Sequence, residues 1–282
     1  MGQDRRQSQV WFWAAVATVV LVSIAIILTT LWSRPRPIEV ITRSNALASV
    51  LATPFMTRFE TGHDDAHWFI ADFELTDHFV QSRWAVDHVA FADGEMTLKI
   101  TDTPGETVPY SAAEYQKRGW YGHGRYEVVM RAARGSGLVS SFFTHTGAWF
   151  GDPHDEIDFE FLGEDTTRVH LNYYNNGQGG DGLIHDLSYD AADEFHLYAF
   201  EWTGETIRWF IDGVKIHEVP ANTQTKPPTT ASRIMMNIWT GSPAQYEWHG
   251  EPDFESGASV AYRCVSFRPL GSHAEMCSSA PS

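Results

Sequence analysis

An all-β sandwich of antiparallel strands, plain or jelly-roll in its winding, is the fold this sequence predicts. Three observations predict it. Beyond about residue 58 the chain runs in short segments whose apolar and polar residues alternate, the two-residue period of a half-buried strand. Turn signals separate these segments, at Ala92-Asp93-Gly94, Asn175-Asn176-Gly177 and Asp212-Gly213. No stretch carries the apolar period of a long amphipathic helix, and no internal repeat is present.

In chain order the alternation predicts strands over Glu95–Ile100, Gly124–Arg131, Val139–Thr144, Asp155–Phe161, Val169–Tyr174, Phe195–Trp202, Thr206–Ile211, Ile234–Ile238 and Ser259–Phe267. The segment WFIDGVKIHEV has two strand-like runs around an Asp-Gly pair and predicts a hairpin. No linker divides this region, so residues 58–270 are expected to form one domain with its own core. Residues 271–282 are expected to be a C-terminal tail.

The first 57 residues read differently. After a short tail, residues 1–9, the stretch Val10–Trp32 has no charged residue. At about 1.5 Å per residue it is long enough to span a bilayer core of roughly 30 Å. Trp11, Trp13 and Trp32 lie at its ends, where interfacial aromatics belong. No A-x-A-like cleavage site follows it directly, and Ala46-Leu47-Ala48 stands well beyond several arginines and prolines. The expectation is an uncleaved transmembrane signal anchor, with secretion as the outcome if cleavage occurs. Residues 33–57, with Pro35, Pro37 and Pro54, read as a linker. The arginines on the two sides nearly balance, so they do not set the orientation.

Composition narrows the function. The net charge is −16 and no basic patch interleaves with aromatics, which argues against nucleic acid as a partner and mildly against polyanionic substrates. The 11 Trp, 10 Tyr and 17 Phe suit strands and a core, and equally suit flat surfaces for stacking on sugars. Cys264 and Cys277 belong to no metal-binding pattern; they read either as a disulfide or as two thiols.

The most informative stretch is HDEIDFEFLG, His154 to Gly163. In a strand, Glu156, Asp158 and Glu160 share one face, and Ile157, Phe159 and Phe161 share the other. A solvated acidic face is the plain reading. Three acids spaced by roughly 6.6 Å with no cation between them repel, however, and such crowding raises at least one pKa. A glycosidase needs that asymmetry: one carboxyl protonated as acid, another ionised to attack or to activate water.

DEIDFEFLGEDTTRVHLNYYNNG closely resembles the signature of bacterial lichenases in glycoside hydrolase family sixteen, whose pattern E-x-D-x-E is met by Glu156, Asp158 and Glu160. The likeness runs through GRYEVVMRAARGSGLVSSFFTHTG, YAFEWTGETIRWFIDG and RIMMNIWTG, covering about residues 59 to 269. It implies a β-jelly-roll sandwich of two antiparallel sheets with a concave glycan cleft. It implies a retaining mechanism with Glu156 as nucleophile, Glu160 as acid/base and Asp158 supporting the pair. By position it also implies substrate contacts from Glu114, Phe143, His154, Asn172, Tyr174, Asn237, Trp239 and Trp248.

Two positions near the acidic strand depart from the family. His154 stands where lichenases usually carry Trp, and His145 where they often carry Tyr. Both changes bear on which glucan is bound, and similar variants occur in depolymerases of bacterial exopolysaccharides. Many relatives also bind a structural calcium with an Asp near the C-terminus; Arg263 stands at that place here, which argues against the ion. No cofactor and no metal are therefore expected. The expected protein is a monomeric endo-β-glucanase acting on a β-glucan or exopolysaccharide, held at the cell membrane with its domain outside the cytoplasm. A transglycosylase of the same fold and a non-catalytic glycan-binding envelope protein are the alternatives. The second of these would predict a lost carboxylate, and all three are present. A Ser-His-Asp hydrolase is poorly supported, since GSGLVSS is not a G-x-S-x-G elbow.

Overall fold

Strand alternation from Phe55 to Pro269 builds two sheets that close over one apolar core, in a computed structural model that describes residues 52–75, 79–103, 108–180 and 182–279. The segment Val10–Trp32 lies outside the described residues; among those described, no helix is long and apolar enough to cross a membrane.

One sheet runs in the order Val214–Val219, Ile207–Ile211, His196–Trp202, Gly124–Arg131, Ser259–Pro269, Glu95–Lys99, Val89–Ala92. The other centres on Arg168–Asn175, Asp155–Leu162, Leu138–Thr146, Arg233–Thr240 and Tyr110–Lys117, in that order. Every predicted strand is present, to within two residues at either end. The sheets are not wholly antiparallel as expected: Ser82–Trp84 runs parallel to Tyr110–Lys117 at the edge of the second. Phe55–Arg58 pairs with Ser259–Pro269, so the sheet takes in the end of the segment read as a linker.

The turns follow from backbone sterics. Asp93, Asn176 and Asp212 are the non-glycine residues with positive φ among those described, each followed by a glycine that is also left-handed. Two successive left-handed residues turn a hairpin in register with the strands' twist, and Asp or Asn before Gly tolerates that conformation best.

The core lies between the sheets. Ile157, Phe159 and Phe161 are fully buried there against Tyr198 and Phe142, with Trp209 and Trp202 from the facing sheet in the same cluster. Two polar atoms of that facing sheet reach across. The Trp209 Nε1–H donates to the Asp158 carbonyl at 3.1 Å, and the Tyr262 hydroxyl donates to the Ser141 carbonyl at 2.8 Å. Buried donors must find acceptors, so these contacts clamp the backbone of the second sheet from beneath.

The C-terminal segment is not a loose tail up to residue 279. Cys264 and Cys277 form a disulfide, and Met276 is buried. The Ser278 N–H and hydroxyl donate to the two oxygens of the buried Glu127, which also takes Arg125 Nε at 2.6 Å.

Asp155 sets where the acidic strand begins. It is fully buried, and its carboxylate accepts the backbone N–H groups of Asn176 at 2.7 Å and of Thr229 and Thr230, both at 2.9 Å. One side chain thus joins the strand to the neighbouring turn and to the loop before Arg233–Thr240. Asp155→Ala leaves three donors unpaired at roughly 1–3 kcal/mol each, for an expected loss of about 4 kcal/mol. Urea unfolding of the two proteins measures it; a difference below about 1 kcal/mol would refute the anchoring role.

Candidate active site

With one face of the second sheet committed to the core, the other carries the remaining side chains, and register places them in rungs. One rung holds Glu114, Asn237, Ser141, Glu160 and His170. The next holds Gln116, Met235, Phe143, Asp158 and Asn172. The third holds Arg233, His145, Glu156 and Tyr174. The face is recessed: Glu114, Asn237, Phe143 and Asp158 are buried, and the side chains of Glu156 and Glu160 keep 20% and 16% of their exposure. Enough remains open for a ligand to reach both.

All three carboxylates of the acidic strand therefore lie on the face predicted for them, in unlike surroundings. The His154 Nε2 atom lies 2.6 Å from Glu156 Oε2, and the His145 Nε2 atom 3.8 Å from the same oxygen. Burial lifts the Glu156 carboxyl, but the His154 hydrogen bond and the charges of both imidazoles outweigh it and hold the group below its usual range. Burial, followed by the charges of Glu156 and Glu160, pushes Asp158 well up. Its Oδ2 faces no protein donor, and the carboxyl hydrogen-bonds to Glu156. A protonated Asp158 that donates to an ionised Glu156 accounts for both facts. Burial also raises Glu160, against the pull of His170, whose Nδ1 is 3.4 Å from Glu160 Oε2. The same Nδ1 accepts the Trp248 indole N–H at 3.3 Å. One strand thus carries one carboxyl biased to the ionised state and two biased to the protonated state.

The other expected residues fall on this face as well. Tyr174 stacks on His154, with ring centroids 4.7 Å apart and planes 19° apart. Phe143 lies between Asp158 and Met235 in the middle rung. Asn172 flanks Asp158. Trp239 follows Asn237 on the same face, 6.1 Å from the ring of Trp248, which comes from the short helix Tyr246–His249. Glu114 Oε1 accepts from Gln116 Nε2 at 2.6 Å, and Oε2 accepts more loosely from Asn237 Nδ2 at 3.4 Å. Burial pushes the Glu114 carboxyl up to about 7 against those hydrogen bonds.

Sequence reasoning missed His170, Gln116 and Arg233. The signal was available: on the same strand face His170 lies two residues from Asn172, Gln116 two from Glu114, and Arg233 four from Asn237. Gln116 Oε1 accepts from Arg233 NH1 at 3.0 Å, so Arg233 supports Glu114 through Gln116.

The expected absence of metal ligands meets two findings. Arg263 is exposed and pairs through Nε and NH2 with Glu95 Oε1, at 2.9 and 2.7 Å, with its guanidinium 3.7 Å from the Phe195 ring centre. A cation held there does not fit a calcium ion. On the acidic face, however, His145, His154 and Glu156 bring one ligand atom each within 4.8 Å of one another.

The chain matches the model of glycosyl hydrolases family 16 over residues 76–258. It is 40% identical over 224 residues to a beta-glucanase of Acetivibrio thermocellus, a match that takes in 79% of this chain and 65% of that protein's length. It is 40% identical to a beta-glucanase of Brevibacillus brevis, over 78% of this chain and 83% of the relative. Among solved structures, a prokaryotic beta-1,3-1,4-glucanase (lichenase) derived from a mouse hindgut metagenome superposes with a TM-score of 0.73 at 38% identity, covering 78% of this chain and all of that one.

Glu114 makes stability depend on pH. Its folded value of about 7 lies above the ordinary 4.5, so between those values the folded protein keeps a proton the unfolded chain has lost. Stability contributed by that proton is complete below pH 4.5 and is lost as pH rises through 7, by about 3 kcal/mol in all. Glu114→Gln removes this loss, so the variant gains on the parent as pH rises across that window. Unfolding free energies at pH 4.5 and 8 measure it; a pH-independent difference would refute the assignment.

Proposed function

Because the chain belongs to glycosyl hydrolase family 16, we propose that it is an endo-acting, retaining β-glucanase, cleaving β-1,3-1,4-linked glucan or a related β-glucan exopolysaccharide by double displacement. One observation carries the reading: a single strand face holds Glu156, with His154 at 2.6 Å and its carboxyl held below the usual range, and Glu160, whose carboxyl burial pushes above it. That is the division of labour a retaining glycosidase requires.

In this reading Glu156 attacks the anomeric carbon while Glu160 gives its proton to the departing glycosidic oxygen. The glycosyl–enzyme ester forms and the aglycone leaves. Glu160, now ionised, takes a proton from water, which attacks the same carbon from the side the aglycone left and releases Glu156. Two inversions give net retention. Asp158 donates its hydrogen bond to Glu156, orienting the nucleophile and easing its return to carboxylate. The recessed face lowers the local dielectric, which strengthens each of these interactions.

Glu114, Asn172 and Asn237 offer hydrogen bonds to sugar hydroxyls, and Phe143, Tyr174, Trp239 and Trp248 offer ring surface. Glu114 and Asn237 are buried and polar, and the Asn237 Oδ1 atom has no protein partner. A hydroxyl of the substrate is the natural donor to it. His154 adds a polar contact and less stacking area than the Trp usual at that place.

The protein is proposed to work as a monomer at the cell membrane, with this domain outside the cytoplasm. The long apolar stretch Val10–Trp32 supports the tether. The Cys264–Cys277 disulfide supports an oxidising compartment.

Incubation with a panel of β-glucans and bacterial exopolysaccharides, followed by linkage analysis of the products, tests the substrate. Oligosaccharides released from a mixed-linked glucan are expected; no product from any member would sink the proposal. Glu156→Gln is expected to keep the fold and lose at least about a thousandfold in kcat. Azide with Glu156→Ala and an activated aryl β-glycoside is expected to yield a glycosyl azide of inverted configuration. A product of retained configuration would instead make Glu156 the acid/base.

A further inference from the structure

We propose that His145, His154 and Glu156 form a binding site for a divalent transition-metal ion of the zinc or copper class, seated on the open face of the sheet over the Glu156 carboxylate.

The site follows from register and turn geometry. His145 and Glu156 are direct partners on adjacent antiparallel strands, so their side chains leave the same face side by side. His154 stands just before the strand, and its ring reaches back to Glu156. Both imidazoles present Nε2 to the same oxygen, at 2.6 and 3.8 Å, and all three ligand atoms lie within 4.8 Å of one another. Tetrahedral zinc with bonds of 2.0–2.1 Å holds its ligand atoms about 3.3 Å apart. The shorter contact must open by about 0.7 Å and the longer one close by about 0.5 Å, which side-chain torsions supply. Two imidazoles and one carboxylate are a donor set that suits zinc, copper and nickel and poorly suits calcium or magnesium.

The surroundings hold the ligands and leave the ion a way in. Tyr174 stacks on one face of His154, and Phe150 meets His145 edge-on with centroids 6.3 Å apart. The side chains of His145, His154 and Glu156 retain 30%, 38% and 20% exposure, so the fourth position of the ion opens to solvent. Arg233, the other neighbour of His145, opposes a cation, but its guanidinium is turned to Gln116 and lies over Phe150 and Trp120.

An ion so bound covers the oxygen that attacks the sugar. The protein would then be switched off reversibly by transition metals, a consequence that rests on Glu156 being the nucleophile as proposed above.

Full-length protein stripped with EDTA and titrated with Co2+ reads the site without any turnover. One equivalent is expected to give the visible absorption of tetrahedral cobalt, and Zn2+ is expected to displace it. His145→Gln, His154→Gln and Glu156→Gln are each expected to weaken the cobalt signal by at least about tenfold in affinity, with unfolding curves confirming that the variants fold. Zn2+ is expected to inhibit the parent, and the half-inhibiting concentration to rise by a similar factor in the two histidine variants, each against its own metal-free rate. His67→Ala, an exposed histidine elsewhere, is expected to change neither reading. Equal cobalt affinity in the parent and both histidine variants would place the ion elsewhere and overturn the proposal. Unchanged cobalt affinity in an inactive Glu156→Gln would also overturn it, while leaving the proposed function intact. Full turnover with the site saturated would keep the metal site and instead remove Glu156 from the nucleophile's role.

Discussion

Like charge on one strand is the constraint around which the molecule is organised. A strand that sends Ile157, Phe159 and Phe161 into the core must send Glu156, Asp158 and Glu160 the other way. Three carboxylates so placed cannot all be ionised on a face that water only partly reaches. The structure answers the conflict unequally. Imidazoles gather at Glu156 and lower its proton affinity, while burial, above all, raises that of Asp158 and Glu160. What would be a flaw in a purely structural strand becomes the difference in proton affinity that acid–base chemistry needs.

Holding that arrangement is the work of the surrounding fold. Asp155 ties the strand's start to two loops, and Trp209 and Tyr262 hold the backbone of the site strands from the core side. His154 does two things at once. Its face rests on Tyr174 and its edge meets Glu156. The face against Tyr174 is thereby closed to a sugar. His154 thus alters the charge beside Glu156 as much as the shape of the trough.

Much of this was legible in the chain. Two-residue alternation identified nine of the strands, and the three Asp-Gly or Asn-Gly turns proved to be the left-handed non-glycine positions among the described residues. Tyr110–Lys117 escaped because it is buried on both faces and so does not alternate. Phe55–Arg58, Trp68–Ile70 and Ser82–Trp84 are short and lie toward sheet margins, where pattern is weakest. The acidic trio could be read from spacing, but Glu114 entered only through resemblance. The meeting of His145 with Glu156 depends on how two strands align across a loop, and nothing local in either segment encodes that.

The C-terminal segment matters more than its length suggests. Ser278 closes over a carboxylate that has no exposure of its own, and Cys277 is bonded to the strand beside it. These residues act as a stopper in the back of the sandwich. Cutting the domain at Leu270 for crystallisation or expression would leave Glu127 facing water through an opening in the outer sheet, and preparing it under strong reductant would loosen the same stopper.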